Sequence, residues 1–452
     1  MQEVTAIKHN GNTIWEKGTP IASPFSVVNN VYAGANTCTL TKNGSAPDIN
    51  MEYSFNNSTW TTWAADANGV RTISIPQNGR LFLRGNNPNG FNPAHNDTDY
   101  YSFTCSQNYA LAGNINSLFS KYETDKVPTS CFRRFFAGST TLKVANYMRM
   151  PATKPGQWAY LHMFNGCTGL TKPPIELPAT NLVNDNNSDG RCYGYMFYGC
   201  SSMTTMPIIR ATGFGFQSCY EMFRGCSSLV NQYSSTDPTV STTTNISFTI
   251  ADDNGKTDSS GNSDTFYDMF RGCTSLVNAS GITATKTLYW KGRVFGGMFN
   301  GCTALTSTPT ITIGSLTSGT IMHCNSMFRD CYSLTTVNMQ LNATTLYTGA
   351  YKIMFYGCTS LVNAPEIMAT SISGEGGNNG ALADMFNRCS KLNTIKVHFT
   401  SWNSGNYTQN WTYGTKSTGT FYKPSSLPST NNTSGNTTNP HYIPYNWTVT
   451  NI

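Results

Sequence analysis

Fourteen cysteines are the residues of this chain whose number and spacing could support chemistry, because thiolates bind metals, attack electrophiles and form disulfides. No CxxC pair occurs in the chain, which argues against a zinc ribbon or a thioredoxin-type site. Eight cysteines instead recur in the motif MF-x-x-C, usually extended to MFxGCxxL. The copies begin at Met163, Met196, Met222, Met269, Met298, Met327, Met354 and Met385.

One cysteine per repeat, always on the apolar side of its motif, is most simply a small buried hydrophobe. We therefore expect these eight thiols to be free, buried and poorly reactive. A disulfide ladder and metal ligation are the alternatives, since stacked repeats could bring equivalent cysteines close together. A second, weaker column precedes the motif at Cys131, Cys192, Cys219 and Cys324, and only Cys38 and Cys105 fall outside the array.

The six histidines form neither HxH nor HExxH, and no GxSxG, P-loop or Rossmann fingerprint occurs. A nucleophilic Cys–His pair would be possible, but eight equivalent cysteines make any single one a poor candidate. A glycan hydrolase would need a pair of carboxylates, and the chain has only 23 Asp and Glu. We therefore expect no catalytic residue, no cofactor and no metal ligand, and expect that the protein is not an enzyme.

Asp185, Asn187, Asp189 and Gly190 match the first half of a calcium-binding loop, but Met196 stands where a bidentate Glu is required. These residue types also form ordinary turns, which is the simpler interpretation. The similar stretch Asp252–Asp264 is interpreted as a flexible polar loop.

Aromatic residues cluster near the C-terminal end of the chain, at Trp402, Tyr407, Trp411 and Tyr413. Exposed rings could bind glycans by stacking on sugar faces. Packing against the end of the repeats is the favoured alternative, because large rings usually bury their area.

The composition excludes several classes of protein. Of the 452 residues only 12% are charged, the net charge is +6, and no run of Lys or Arg exists that could follow a phosphate backbone, so nucleic-acid binding is not expected. No apolar run approaches the roughly 18–20 residues needed to cross a bilayer. The first residues lack the features of a Sec signal peptide, so we expect none.

The repeats must supply the elements that position these residues. The motif methionines follow one another at spacings of 33, 26, 47, 29, 29, 27 and 31 residues, and FFAGSTTL from Phe135 is a degenerate first copy. Apolar residues at i, i+1, i+4 and i+7 predict a short helical turn, and the β-compatible segment after it predicts a short strand. The motif phenylalanines are expected to form one ladder in the core: Phe164, Phe197, Phe223, Phe270, Phe299, Phe328, Phe355 and Phe386.

The predicted organisation has four parts. Residues 1–20 carry a hairpin signal around Val4–Trp15 and form either an N-terminal attachment or oligomerisation arm or an edge hairpin of the next domain. Residues 21–113 form a small antiparallel β sandwich or barrel. Residues 114–400 form the repeat solenoid, and residues 401–452 cap its end. The predicted fold class is mixed α+β, with a short helix and a short strand in each repeat.

The MFxGCxxL turn followed by a strand resembles the BspA-like leucine-rich repeats of Bacteroidetes surface proteins and of virion proteins from their crAss-like phages. The resemblance covers roughly residues 114–400, with Asp330 and Arg388 in place of the glycine and Met203 in place of the leucine. It implies a leucine-rich-repeat solenoid and a structural or adhesive role.

The resemblance implies a non-enzymatic virion surface protein: a head fibre, a capsid decoration or a tail-associated adhesin that binds the host surface or glycans. Other virion proteins would be its partners through the N-terminal region, with homo-oligomers expected and no membrane insertion. The alternative is a bacterial cell-surface adhesin whose signal peptide is absent from this chain.

Overall fold

The computed structural model of the chain describes residues 6–9, 12–16, 23–29, 34–92, 96–120, 125–182, 190–234, 242–251, 264–285, 292–314, 322–402, 407–432 and 441–452. These residues fall into two compact units. The first comprises Met1–Leu182, Arg191–Ala211 and Asn231–Thr243, and the second comprises Val183–Gly190, Thr212–Val230 and Thr244–Ile452. In this described part of the chain, no helix has the length and apolar character needed to cross a membrane.

Ten strands precede the repeats: β1 Ala6–His9, β2 Asn12–Glu16, β3 Ser26–Val28, β4 Asn36–Lys42, β5 Met51–Ser54, β6 Thr61–Thr62, β7 Val70–Ile75, β8 Arg80–Gly85, β9 Tyr101–Cys105 and β10 Tyr109–Asn114. Strands β1 and β2 pair antiparallel in a sheet of their own, so the hairpin predicted near the N-terminus is present.

Seventeen strands follow: β11 Lys126–Val127, β12 Leu142–Arg149, β13 Lys154–Pro155, β14 Glu176–Leu177, β15 Thr205–Met206, β16 Ile208–Ile209, β17 Asn231–Tyr233, β18 Thr242–Thr243, β19 Asn245–Ile250, β20 Asn278–Ala284, β21 Thr312–Ile313, β22 Gln340–Leu341, β23 Thr345–Leu346, β24 Ser371–Ile372, β25 Thr394–Lys396, β26 Thr420–Lys423 and β27 Thr448–Asn451. Most of them pair in parallel with a strand of the next repeat, as β14 does with β16 and β21 with β22.

Two sheets build the region before the repeats. Strands β7, β4 and β9 form one antiparallel sheet, and the other runs in the order β12, β10, β3, β8, β5, β6. Phe25, next to β3, meets Phe103 of β9 edge to face at 6.5 Å, so the two sheets share a core. The larger sheet is antiparallel except for β12, which comes from the first repeat and lies parallel to β10. The antiparallel pairing predicted for residues 21–113 is thus observed, with one added strand.

A disulfide joins Cys38 and Cys105, which lie directly opposite each other on β4 and β9. The other twelve cysteines are free and buried. The eight motif thiols are therefore unpaired and inaccessible in the structure, as the sequence predicts. Their low reactivity in solution stays a prediction.

The expected mixed α+β fold, with a leucine-rich-repeat solenoid of short helices and strands, is wrong. Among the described residues the helices are two short 3-10 segments, Ile115–Leu118 and Gly377–Asn379. The remaining regular structure is β, spread over ten separate sheets. The segments predicted as helical are runs of tight turns.

Backbone geometry explains why the motif is not a helix. In the repeat of Met163 the φ angle is positive at Trp158, His162 and Gly166, at 56°, 58° and 72°, which is a left-handed residue at every fourth position. The amide of Cys167 closes a turn onto the carbonyl of Phe164. The amide of Phe164 instead donates to the next repeat, at Met196 O, 2.9 Å away. An α-helix needs right-handed angles throughout and i to i−4 bonds, so this pattern excludes it.

The motif phenylalanines do stack in ladders, and all eight are fully buried. In the first unit Phe164 lies 5.3 Å from Phe197, with the rings 3° from parallel. In the second unit five successive pairs from Phe223 to Phe386 stack at 5.4–5.8 Å. The predicted burial and stacking are confirmed within each unit.

A second aromatic column lies three residues before the repeat methionines. Tyr160 stacks on Phe132 at 5.9 Å and on Tyr193 at 5.8 Å in the first unit, and Phe266 stacks on Phe295 at 5.7 Å in the second. Cys219 and Cys324 occupy the same column in other repeats. Two cysteines of the weaker column in the sequence thus take the place of rings in one buried row, while Cys131 and Cys192 each lie one residue before a ring of that row.

The motif cysteines also have a hydrogen-bonding role. The Sγ of Cys200 donates to Phe164 O at 3.1 Å, and the Sγ of Cys302 donates to Phe270 O at 3.1 Å. The same contact occurs for Cys167, Cys273, Cys331, Cys358 and Cys389. The phenylalanine carbonyl in each of these seven contacts thus accepts one amide from its own turn and one thiol from the next repeat, which uses both lone pairs.

Candidate functional site

The repeat turns carry two columns of side chains on the side away from the ladders. These outer columns are the residue before each repeat methionine and the second residue after it. The residue before the methionine has a positive φ in the described repeats, for example 58° at His162 and 51° at Asp268. The inner residues change little from repeat to repeat, whereas the outer ones change in charge and shape.

In the first unit the outer columns, together with Trp158 five residues before Met163, form an aromatic ridge, which consists of Trp158, His162, Asn165, Tyr195 and Tyr198. The ring of His162 stacks on Tyr195 at 4.5 Å, and Tyr195 contacts Tyr198 at 6.0 Å. Asn165 Nδ2 lies 2.8 Å from His162 Nδ1, which fixes the imidazole plane. Burial, together with the positive charges of Arg134 and Arg133, lowers the pKa of His162 to about 4, so the ring is neutral at pH 7.

Charged groups border the aromatic ridge. The guanidinium of Arg133 covers the Trp158 ring at 5.2 Å from its centre. Asp97 accepts hydrogen bonds from Arg133 and from Arg134. Partial burial raises the pKa of Asp97, but the two arginines outweigh it, and the pKa stays below its ordinary value.

In the second unit the same columns, together with Tyr267 and three residues that lie five positions before a methionine, form an ionic ridge. It consists of Gln217, Glu221, Arg224, Asp264, Tyr267, Asp268, Arg271 and Arg293. Arg224 Nη1 lies 2.8 Å from Glu221 Oε2 and 3.4 Å from Asp268 Oδ2, and Arg271 Nη1 lies 3.0 Å from Asp268 Oδ2. Burial raises the pKa of Asp268 and of Glu221, and the neighbouring arginines only partly offset it. The Arg224–Asp268 pair therefore links two successive repeats, and the other two pairs lie within one repeat.

The residues five positions before the methionines form a second set of contacts in the ionic ridge. Gln217 Nε2 donates to Asp264 Oδ2 at 3.4 Å, and Arg293 Nη2 donates to the same oxygen at 2.8 Å. The Arg293 guanidinium also covers the Tyr267 ring at 4.8 Å. Asp264, at the end of the segment interpreted as a flexible polar loop, is thus a buried part of the ridge.

The ionic ridge also explains why a glycine precedes Met298. Gly297 is the residue before Met298 and has a φ of 60°. A Cβ there would lie 2.0 Å from Asp268 Oδ1, so any side chain would collide with the carboxylate. The buried ion pair of one repeat therefore dictates the residue of the next.

Further along the second unit a tyrosine lies between two arginines. The guanidinium of Arg329 lies 5.1 Å from the centre of the Tyr356 ring, and that of Arg388 lies 5.4 Å from it. Asp330 and Arg388, which depart from the glycine of the motif, keep positive φ angles of 58° and 64°. The departures therefore preserve the turn and change only the outer side chains.

The ionic ridge is suited to binding rather than to proton transfer. Each of its carboxylates is buried and accepts a hydrogen bond from at least one arginine. The arginine side chains, in contrast, are 31–43% exposed. The carboxylates therefore lie buried beside partly exposed arginines.

The candidate metal ligands considered in the sequence analysis do not come together in the part of the chain that the structure describes. No group of three or more His, Cys, Asp or Glu in the described part of the chain could hold a metal ion. Asp185, Asn187 and Asp189 of the half calcium loop lie outside the described residues, and Gly190 is buried.

The C-terminal aromatic cluster is partly internal. Trp411 is fully buried, donates from Nε1 to Tyr442 O at 3.0 Å, and meets Phe386 at 6.3 Å. Trp402 donates to Pro428 O at 2.8 Å, while Tyr413 keeps 37% of its surface exposed. Packing accounts for the tryptophans, as the favoured interpretation has it.

Comparisons of the chain with protein-family models, with curated proteins and with solved structures gave no match.

Proposed function

We propose that this protein is a non-enzymatic surface protein of a phage virion, namely a head fibre, a capsid decoration or a tail-associated adhesin. Its task is to display the ridges of its repeat turns to a host cell surface or to glycans. The resemblance of the MFxGCxxL motif to BspA-like repeats supports this proposal, as does the weakly charged, polar composition.

One observation carries the proposal. Turns of nearly constant inner sequence hold outer side chains that vary from His and Tyr in one unit to Glu, Asp and Arg in the other. A purely structural repeat has no need of this variety. A recognition surface does need it, because specificity comes from the groups presented to the partner.

The N-terminal hairpin is the element proposed for attachment. Strands β1 and β2 pair only with each other in the described residues, so the other sheets keep their hydrogen bonds without it. The partner would be another virion protein, or a second copy of the chain.

The second candidate is a bacterial cell-surface adhesin, and the Cys38–Cys105 disulfide favours it. Disulfides persist in oxidising surroundings, where exported proteins fold, whereas virions assemble in a reducing cytoplasm. A virion protein would acquire this bond only after lysis of the cell.

Fractionation tests the proposal. Antibodies against the protein should detect it in density-purified phage particles from cells that carry the gene, and not in the membranes of uninfected cells. Deletion of residues 1–20 should leave the protein folded and remove it from particles. Detection in the envelope of cells without phage would establish the adhesin instead, and normal incorporation of the truncated protein would refute the role of the hairpin.

A further inference from the structure

We infer that strand β27, Thr448–Asn451, docks on β27 of a second copy of this chain, so that two molecules pair edge to edge about a two-fold axis. The inference goes beyond the proposed function and does not depend on it. It follows from the unpaired backbone at the outer edge of β27, from its unprotected side chains and from a register that matches the strand to itself.

Strand β27 ends a sheet of parallel strands. The order of the sheet is β25, β26, β27, and among the described residues β27 pairs with β26 alone. The Thr448 amide donates to Gly419 O, just before β26, at 2.8 Å, and the Ile452 amide donates to Lys423 O, within β26, at 2.9 Å. The backbone groups of these positions therefore point toward β26.

The positions between them face the opposite way. Successive residues of a strand direct their N–H and C=O groups to alternate sides, so those of Val449 and Asn451 point away from the sheet. Within the described part of the chain, no backbone hydrogen bond occupies either amide. Thr448, Thr450 and Asn451 are exposed, so a partner can reach this edge.

The edge of β27 has no protection against pairing. Natural proteins usually protect an edge strand with a charged side chain, a proline, a bulge or a very short length. Strand β27 contains Thr448, Val449, Thr450 and Asn451, none of them charged and none of them proline. Two edge strands before the repeats are protected, since β6 has only two residues and β7 carries the buried Arg71.

Exposed apolar side chains flank the open strand. Tyr445 precedes β27 and Ile452 follows it, and each is 48% exposed. Among the described residues these are the two most exposed large apolar side chains. Apolar surface beside unpaired backbone indicates an interface, because one partner covers both.

The strand matches itself in one antiparallel register. A two-fold axis through Thr450 places Val449 of each copy opposite Asn451 of the other. Outward-facing residues form the hydrogen-bonded pairs of an antiparallel ladder, and each such pair exchanges both of its N–H···O bonds. Thr450 then faces its own equivalent, and Thr448 faces Ile452. All the outward backbone groups are used, and no like charges meet, so the strand is its own complement.

Disulfide trapping tests the register. In the proposed dimer the two Thr450 Cα atoms lie about 4.5 Å apart, within reach of a disulfide. The two Thr448 residues are offset by about 13 Å along the strands, which is beyond that reach. Thr450→Cys should therefore form covalent dimers under mild oxidation, and Thr448→Cys, on the same strand, is the matched control. The native free cysteines are buried, so the engineered thiol reacts alone, and non-reducing gels after alkylation measure the yield.

Sedimentation velocity tests the interface without a cross-link. Wild type should form dimers, and Val449→Pro, which removes an outward N–H and no bond to β26, should weaken them about tenfold or more. Thr450→Lys and Thr450→Glu should each be monomeric, because like charges meet on the axis, whereas their equimolar mixture should dimerise. Thr336→Lys adds the same charge at an exposed position of the second unit and should leave the dimer intact.

Three results would overturn the inference: a monomeric wild type, equal cross-linking of the two cysteine variants, or a mixture of the Lys and Glu variants that stays monomeric. Dimers that survive every β27 variant would place the contact elsewhere, for example at the N-terminal hairpin. If Val449→Pro does not fold, the mixture of charged variants provides the same comparison, since Thr450 is exposed. The presence of the protein in phage particles is measured separately, so this interface and the proposed function can fail independently.

Discussion

The inner and outer sides of the same repeat turns follow different rules. On the inner side phenylalanine, cysteine and leucine recur in repeat after repeat, and the rings stack on their neighbours within each unit. On the outer side the residue before the methionine is His162 in one repeat, Asp268 in another and Ile353 in a third. The contrast shows that stacking fixes the residue types of the inner side, while the outer residues share a positive φ and vary in charge and shape.

The largest effect on stability should come from removing one ring of the phenylalanine ladder. Phe299 is fully buried and stacks on Phe270 at 5.4 Å and on Phe328 at 5.5 Å. Phe299→Ala should lower the free energy of unfolding by about 3–5 kcal/mol in urea titrations. The adjacent outer variant Asn300→Ala should change it by less than about 0.5 kcal/mol. Equal effects would abolish the contrast between the two sides.

The outer side should show its own response to pH. The pKa of His162 is about 4 in the folded protein, against roughly 6.5 in an unfolded chain. The unfolded state therefore binds more protons between these values, so the stability that His162 contributes is complete above about pH 6.5 and is lost as the pH falls toward 4.

Acidification from about pH 7.5 to about pH 5 should thus cost of the order of 2 kcal/mol through this residue. His162→Asn tolerates the positive φ and should remove that part of the loss. His323, whose pKa burial also lowers to about 4, is unchanged in the variant, so the difference between the two proteins isolates His162. Identical pH dependence of wild type and variant would contradict this account of the aromatic ridge.

A smaller effect should follow from removal of one thiol. Cys302→Ala leaves the carbonyl of Phe270 with one hydrogen bond in place of two and should cost about 1 kcal/mol. Cys302→Ser keeps a donor at the same position and should cost less. If serine proves more harmful than alanine, the thiol acts by packing alone.

The smallest effect should be a gain in stability. Ile353 has a φ of 58°, which is unfavourable for a β-branched side chain. Ile353→Asn should raise the free energy of unfolding by about 0.5–1 kcal/mol, because asparagine tolerates this conformation. Ile353→Val keeps the branch and should give no gain, which separates backbone strain from a change of side-chain size.

Much of the inner side could be predicted from the sequence. The recurrence of MF-x-x-C identified the repeats, the buried phenylalanines and the unpaired motif cysteines. The helix was wrong because apolar residues at i, i+1, i+4 and i+7 fit a helical period and a series of four-residue turns equally well. The signal that distinguishes the turns is the glycine two residues after the motif phenylalanine, because glycine tolerates a positive φ. Asp268 and Asp384 lie four residues before this glycine position in their repeats, and aspartate also tolerates a positive φ.

The ridges could not be predicted in the same way. Arg224 and Asp268 are 44 residues apart in the chain, and Asp264 and Arg293 are 29 apart. Their pairing depends on the register between successive repeats, which the polar insertion before Asp264 obscures. The Cys38–Cys105 disulfide could not be predicted for a similar reason, because the sequence does not show which strands of an antiparallel sheet are neighbours.

Counting thiols by alkylation and mass spectrometry tests the central claim most directly, namely that the repeat turns of each unit bury unpaired cysteines on their inner side. The native protein should incorporate no label, because its free cysteines are buried. Denaturation without reductant should expose twelve thiols, and reduction should raise the count to fourteen. Rapid labelling of several cysteines in the native protein, or fewer than twelve thiols after denaturation, would contradict the account.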